Sequence, residues 1–156
     1  MVKYSDMFTD IEFMREAIKE AQIAGEKGEV PVGAVIVKDG MIIARAHNMV
    51  EELADSSAHA EMLAIREAER KLGKWLFDCS IYVTLEPCSM CAGALILSRI
   101  DKLYIGTDDP KTGACGSLLN IVKDERLNHR IEVIRGIESE LCSRILKDFF
   151  RKRRIG

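Results

Sequence analysis

Apolar residues recur at three- and four-residue steps through Phe8, Ile11, Met14, Ile18 and Ala21. That spacing predicts a helix from Phe8 to about Glu26 with one buried stripe, ended by Gly25 or Gly28. The next apolar runs, Val32–Val37 and Met41–Ala46, flank Asp39-Gly40, a pair that tolerates the positive φ of a tight hairpin, and so predict two strands. His47-Asn48 follow the second strand, which places Asn48 at a strand end. Beyond a polar loop closing on Asp55-Ser56-Ser57, the Ala-, Glu-, Leu- and Arg-rich stretch Ala58–Leu72 predicts a helix that stops at Gly73.

Ile81–Leu85 reads as a third strand, and Pro87 is well placed to open a helix over Cys88–Ser98. Leu103–Gly106 is a fourth strand and Ile131–Ile134 a fifth. Between them lie a loop over Thr107–Ser117, with Pro110, Gly113 and Gly116, and a brief helix over Leu118–Val122. Leu141, Ile145, Leu146 and Phe149 then follow helical spacing from Glu138 into a basic tail. This alternation predicts an α/β fold, a three-layer α/β/α sandwich around a five-stranded mixed sheet. The connection between the fourth and fifth strands is long enough for a crossover, so that pair is expected to be parallel. The 156 residues fit one domain spanning 1–156. Trp75 is expected to pack under the sheet edge, and Cys79, Cys115 and Cys142 to be small packing residues.

Composition narrows the class. A hydrophobic content of 47% and a charged content of 31% are those of a globular protein. The formal net charge of -2 gives no global positive field, so a nucleic-acid contact has to come from a local patch, of which Arg151-Lys152-Arg153-Arg154 is the densest. DNA is not an expected partner. The first residues lack the basic start and apolar block of a signal peptide, and no apolar run is long enough for a bilayer, so no membrane association is expected. Five cysteines, an odd number without an export signal, suit a reducing, cytoplasmic setting.

The chemistry concentrates in His59-Ala60-Glu61 and Pro87-Cys88-Ser89-Met90-Cys91, each opening a predicted helix. A CxxC pair alone is also half of a structural zinc site or a redox dithiol. A closed structural site needs a fourth ligand, yet Cys79, Cys115, Cys142, His47 and His129 show no ligand-like pairing, and a redox dithiol leaves His59 and Glu61 unexplained. One histidine and two cysteines instead make a three-ligand zinc site that keeps a position open for water. Residues two apart on a helix diverge by roughly 200°, so His59 and Glu61 serve one site only if it lies off the helix N-terminus. The positive ends of two helices there favour thiolates. Glu61 is then free to move protons.

These motifs resemble the cytidine deaminase superfamily. Gly28–Ala34, Ala46-His47-Asn48, Tyr82–Cys88, Asp109–Gly113, Gly116-Ser117 and Leu127–Arg130 are similar to its bacterial tRNA-specific adenosine deaminase branch, and the likeness runs from the first helix to Phe149-Phe150. The resemblance implies a cytidine deaminase-like fold and one Zn²⁺ per subunit on His59, Cys88 and Cys91, with Glu61 as proton shuttle. It implies hydrolytic deamination of adenosine to inosine at the wobble position of a tRNA anticodon stem-loop. Asn48 would contact the base or its ribose, with Val30 and Ala60 shaping the pocket, and a homodimer would carry RNA across both subunits.

Asp109 and Lys111 on the loop, and Phe150, Arg153 and Arg154 on the tail, are candidate RNA contacts through phosphate charge and stacking. The competing expectation is a deaminase of a free base or nucleoside, such as cytosine, guanine or cytidine, because the zinc chemistry is shared. A tail folded over the pocket as a lid would point that way. A zinc module without catalysis is the third reading.

Overall fold

The computed structural model describes residues 4–155, with side chains over residues 10–154. Among the described residues, five α-helices, α1 (Tyr4–Glu26), α2 (Val50–Leu53), α3 (Ala60–Leu72), α4 (Ser89–Ser98) and α5 (Ser139–Ile155), accompany five strands. The strands are β1 (Gly33–Lys38), β2 (Met41–His47), β3 (Cys79–Leu85), β4 (Lys102–Thr107) and β5 (Glu132–Arg135). They form one sheet in the order β2-β1-β3-β4-β5. β1 runs antiparallel to β2 and β3, whereas β3, β4 and β5 are mutually parallel, so the sheet is mixed as expected. At the hairpin tip Asp39 and Gly40 have φ of 51° and 75°, the left-handed pair that a two-residue turn requires.

Strand side chains alternate between faces, and this decides the layering. Ala34, Ile36, Ile81, Val83, Leu103 and Ile105 bury against Ala64 and Ala68 of α3 and Ala92 and Leu95 of α4. Val35, Val37, Tyr82 and Tyr104 turn to the opposite face, against Met14, Ala17 and Ile18 of α1 and Cys142 of α5. On that second face the rings of Tyr82 and Tyr104 stack at 4.2 Å, and the Tyr82 hydroxyl donates to Asp10 at 2.5 Å. α1 lies hard against β1 because Gly33 has no side chain; a Cβ there would sit 2.0 Å from the Ala17 carbonyl oxygen. The result is the expected three-layer α/β/α arrangement. Cys79, Cys115 and Cys142 are all buried free thiols.

Several local expectations change. The polar segment after Asn48 contains the short helix α2, and the predicted helix over Leu118–Val122 is only a 3-10 turn at Ile121–Lys123, with Leu118 and Leu119 exposed. The connection to β5 therefore crosses over without a full helix. Trp75 does not pack under the sheet: it is 51% exposed, tilted against Phe77 at 5.9 Å, with the Lys74 ammonium 4.6 Å above its ring. An aromatic beside a flexible cation gains a cation–π contact at the surface without needing burial. The Phe8 side chain lies outside the described residues. Among the described residues no helix is long and apolar enough to cross a membrane.

Candidate active site

Because β1 is antiparallel to its neighbours, the start of β1 and the ends of β2, β3 and β4 lie along one edge of the sheet. α3 and α4 both begin at this edge. His59 is the N-cap of α3, with φ -75° and ψ 152°, and Cys88 is the N-cap of α4, with φ -76° and ψ 179°. His59 thus stands one residue before the first helical turn in which sequence spacing placed it. Neither side chain caps its own helix. Both are left to point across the gap between the helix ends, with Glu61 and Cys91 one short step inside. The problem of a roughly 200° divergence disappears, since the cap residue has extended backbone and the site lies off the helix end.

His59 Nδ1 lies 3.6 Å from both Cys88 Sγ and Cys91 Sγ, and the three donor atoms all fall within 4.8 Å of one another. Tetrahedral ligation with Zn–N of about 2.05 Å and Zn–S of about 2.3 Å puts N and S about 3.6 Å apart. The donor set therefore fits a tetrahedral metal with one position left over. The electrostatics are those of a site prepared for a cation. Cys88 is pulled down to about 4, chiefly by a hydrogen bond from Cys91, against the effect of burial and with help from His59. Cys91 is pushed up because its proton goes to Cys88 and it is buried. His59 is raised, first by its hydrogen bond with Cys88, and by the nearby Glu61 and Cys88 charges. Without a metal, one sulfur keeps a proton that ligation would release.

Glu61 is 4% exposed, and burial pushes its carboxyl up to about 7, against its own backbone N–H, the His59 charge and the Cys91 thiol. It lines a cavity of about 270 Å³ together with Val30, Asn48, His59, Ala60 and Cys88. Asn48 donates its amide N–H to the Val30 carbonyl at 3.2 Å and accepts from the Val50 N–H at 3.3 Å. These two partners fix which way the amide points and leave it one N–H and one lone pair for a ligand. A buried acid poised near neutrality beside a three-donor metal site can shuttle protons for a hydrolytic reaction.

The outer candidates separate. Asp109 and Arg153 line the same cavity. The Arg153 guanidinium donates to the Gly28 carbonyl and sits 4.7 Å over the Phe149 ring, so among the described residues the tail meets the cavity rim through this one side chain. Phe150 and Arg154 line a neighbouring groove with Thr107, Asp108 and Pro110, and not the cavity. The Phe150 ring is 43% exposed. Lys111 is exposed and lines neither.

Two buried carboxylates in the cavity wall had no assigned role. Glu29 accepts from the backbone N–H groups of Glu51 and Glu52 at 3.0 and 2.7 Å, which anchors α2. Glu86 gathers the loop after β4. Their one sequence sign is an acidic residue beside an apolar strand or motif.

A mixed sheet that aims two helix N-termini at a His/Cys/Cys set, with a glutamate two residues after the histidine, defines the class of hydrolytic nucleobase deaminases. Residues 8–154 match the MafB19-like deaminase family, and the chain belongs to it. It is 54% identical over 149 residues to the tRNA-specific adenosine deaminase of Bacillus subtilis (strain 168), covering 95% of this chain and 92% of that protein. The corresponding Aquifex aeolicus (strain VF5) enzyme is 53% identical, over 91% of this chain and 94% of its own length. Among solved structures, a transfer RNA deaminase studied for A-to-I editing at the wobble position superposes with a TM-score of 0.84 and 45% identity, over 86% of this chain and 99% of that chain.

Proposed function

We propose that this chain converts adenosine to inosine at the wobble position of a tRNA anticodon by hydrolytic deamination. The observation that carries the chemistry is a buried, near-neutral Glu61 beside the His59–Cys88–Cys91 donor set in a cavity of about 270 Å³. Identity of about half with tRNA-specific adenosine deaminases over nearly the whole chain supports the substrate. His59, Cys88 and Cys91 would hold one Zn²⁺, whose chemistry is that of a Lewis acid that makes water nucleophilic near neutral pH.

Glu61 takes a proton from the attacking water and delivers it to the ring nitrogen beside the amino-bearing carbon. The new C–O bond and the broken C–N bond balance as adenosine plus water giving inosine plus ammonia. Asn48, with Val30 and Ala60 in the wall around it, orients the base. An unpaired loop base is cheap to extrude, which suits a cavity too small for more than one nucleotide. The groove with Phe150, Arg151 and Arg154, one loop away from the mouth, offers stacking and charge to the flanking RNA.

α4 shows solvent an apolar stripe of Met90, Gly93, Ala94 and Leu97, with Leu97 74% exposed and Leu118 62% exposed. A second copy of the chain covering this face makes a homodimer, and the Leu97→Glu variant is expected to sediment as a monomer. Free thiols throughout suit a cytoplasmic setting.

The deciding experiment incubates the zinc-loaded protein with an anticodon stem-loop bearing adenosine at the wobble position, beside free guanine, cytosine and cytidine. Inosine in the stem-loop is the expected result. Ammonia from a free base with an unchanged stem-loop would overturn it.

A further inference from the structure

One wall of the cavity is irregular chain. The segment from Asp108 to Ser117, after the end of β4, contains no helix or strand, only an isolated bridge at Cys115, yet it presents Asp109 and Thr112 to the cavity. Asp109 folds the tip by accepting from the Lys111 and Thr112 N–H groups at 3.0 and 3.3 Å and from the Thr112 hydroxyl at 2.8 Å. Its carboxylate is therefore engaged inside the loop. What fixes the loop to the body of the protein is a different carboxylate, Glu86, at the end of β3.

Glu86 Oε1 accepts from the Asp109 N–H at 3.1 Å, from Arg135 Nη2 at 3.1 Å and from the Ser117 hydroxyl. Its Oε2 accepts from the Cys115 N–H at 3.0 Å and the Ser117 N–H at 3.1 Å. The Glu86 side chain is fully buried. Arg135, from β5, also binds Asp108 through Nε at 3.1 Å and Nη2 at 2.7 Å, and donates through Nη1 to the Cys115 carbonyl. Glu86 and Arg135 together hold both ends of the loop. Glycine lets the loop close on them, since a Cβ on Gly113 would lie 2.5 Å from Glu86 Cδ and one on Gly116 would lie 2.9 Å from Arg135 Nη1.

We propose that Glu86 and Arg135 form a clamp that sets the 107–117 loop as the substrate-selecting wall of the cavity, with Glu86 a positioning residue and not a second proton carrier. A carboxylate has about four lone-pair sites, and five donors already converge on this one, so it has no capacity left for a substrate proton. A wall held in place before the ligand arrives removes an ordering cost from binding and leaves the chemical step to Glu61. The clamp therefore acts on KM more than on kcat. This inference rests on the stem-loop being the substrate.

The test compares wild type, Arg135→Ala and Glu86→Gln in the zinc-loaded form, Arg135→Ala being the milder because that side chain is one-third exposed. Both variants are expected to raise KM for the anticodon stem-loop about tenfold or more, equivalent to one factor of ten in affinity, with kcat within about threefold. In both, amide hydrogen exchange of 107–117 should quicken about tenfold or more, with α3 protection and zinc content unchanged. A collapse of kcat with KM and loop protection intact overturns the proposal, because Glu86 would then be acting on the reacting atoms. Unchanged exchange and kinetics in both variants overturns it as well. If wild type itself deaminates no stem-loop, the substrate reading fails, and the exchange measurement still decides whether the clamp exists.

Discussion

Glu61 and Glu86 are the same residue type, are both buried, and line one cavity within a few residues of the same metal donors, yet their surroundings push them in opposite directions. At Glu61 burial dominates and lifts the carboxyl to about 7. At Glu86 burial also opposes charge, but the Ser117 hydroxyl and the Asp109, Cys115 and Ser117 N–H groups outweigh it and hold the carboxyl below its usual range. Burial alone does not say what a carboxylate does; the number of donors aimed at it does. The under-bonded acid at the helix ends can pass a proton, whereas the saturated one in the loop wall can only hold shape.

The sharpest way to break this contrast is Glu61→Gln. Turnover should fall by roughly 10²–10⁴-fold, the usual contribution of a positioned acid–base group, with bound zinc unchanged by elemental analysis. Retained turnover would remove Glu61 from the mechanism. The same variant should change how the metal-free protein responds to pH. The folded-state pKa of Glu61, about 7, lies above its ordinary 4.5, so its contribution to stability is complete below 4.5 and is lost as pH rises through 7. Metal-free Glu61→Gln should therefore be more stable than wild type at pH 8, by on the order of 3 kcal/mol at most, read from urea midpoints. Glu86 has the opposite sign. Its pKa is lowered, so its stabilisation is present above 4.5 and is lost as pH falls through the lower folded value.

That His59, Cys88 and Cys91 meet, with Glu61 beside them, was legible in the sequence because a three-donor metal site would demand particular residue types, and helix starts impose a spacing on them. The sheet was legible for a similar reason: Ile81, Val83, Leu103 and Ile105 against Tyr82 and Tyr104 carry the period of two that sorts faces. Glu29, Glu86 and Arg135 were not legible. Glu29 and Glu86 are held mostly by backbone N–H groups more than twenty residues away, which leave no mark on residue identity, and the partners of Arg135 lie twenty or more residues away in sequence. Trp75 was misplaced because burial is a one-way rule: buried positions favour apolar residues, but a large aromatic need not be buried. Arg153 and Arg154 looked equivalent in the tail. Successive helical residues diverge by roughly 100°, which sends one to the cavity and the other to the adjoining groove.

Gly113→Ala strikes the loop wall without replacing a titratable group. Its Cβ would lie 2.4 Å from the Asp109 carbonyl oxygen and 2.5 Å from Glu86 Cδ, both in a tightly held neighbourhood. Forcing a methyl group into such packing costs about 1–3 kcal/mol. The loss should appear as a lower urea midpoint and a raised KM, with kcat little changed. A fall in kcat as large as that of Glu61→Gln would mean that the two walls are not separable, and the contrast between them would fail.

The smallest expected effect separates loop charge from loop shape. Lys111 is exposed, and only its backbone N–H takes part in the tip, donating to Asp109 at 3.0 Å, so Lys111→Ala leaves the wall as it is. If its ammonium meets an RNA phosphate, KM should rise only a few-fold, and the slope of log KM against log salt should fall by about 1. Arg153→Ala makes the opposite control. Arg153 donates to the Gly28 carbonyl beside Glu29, so its loss alters the rim itself and should raise KM by a similar factor at every salt concentration. A salt slope that moves in Arg153→Ala and stays fixed in Lys111→Ala would reverse the assignment, making the tail the electrostatic contact and the loop purely a shaped surface.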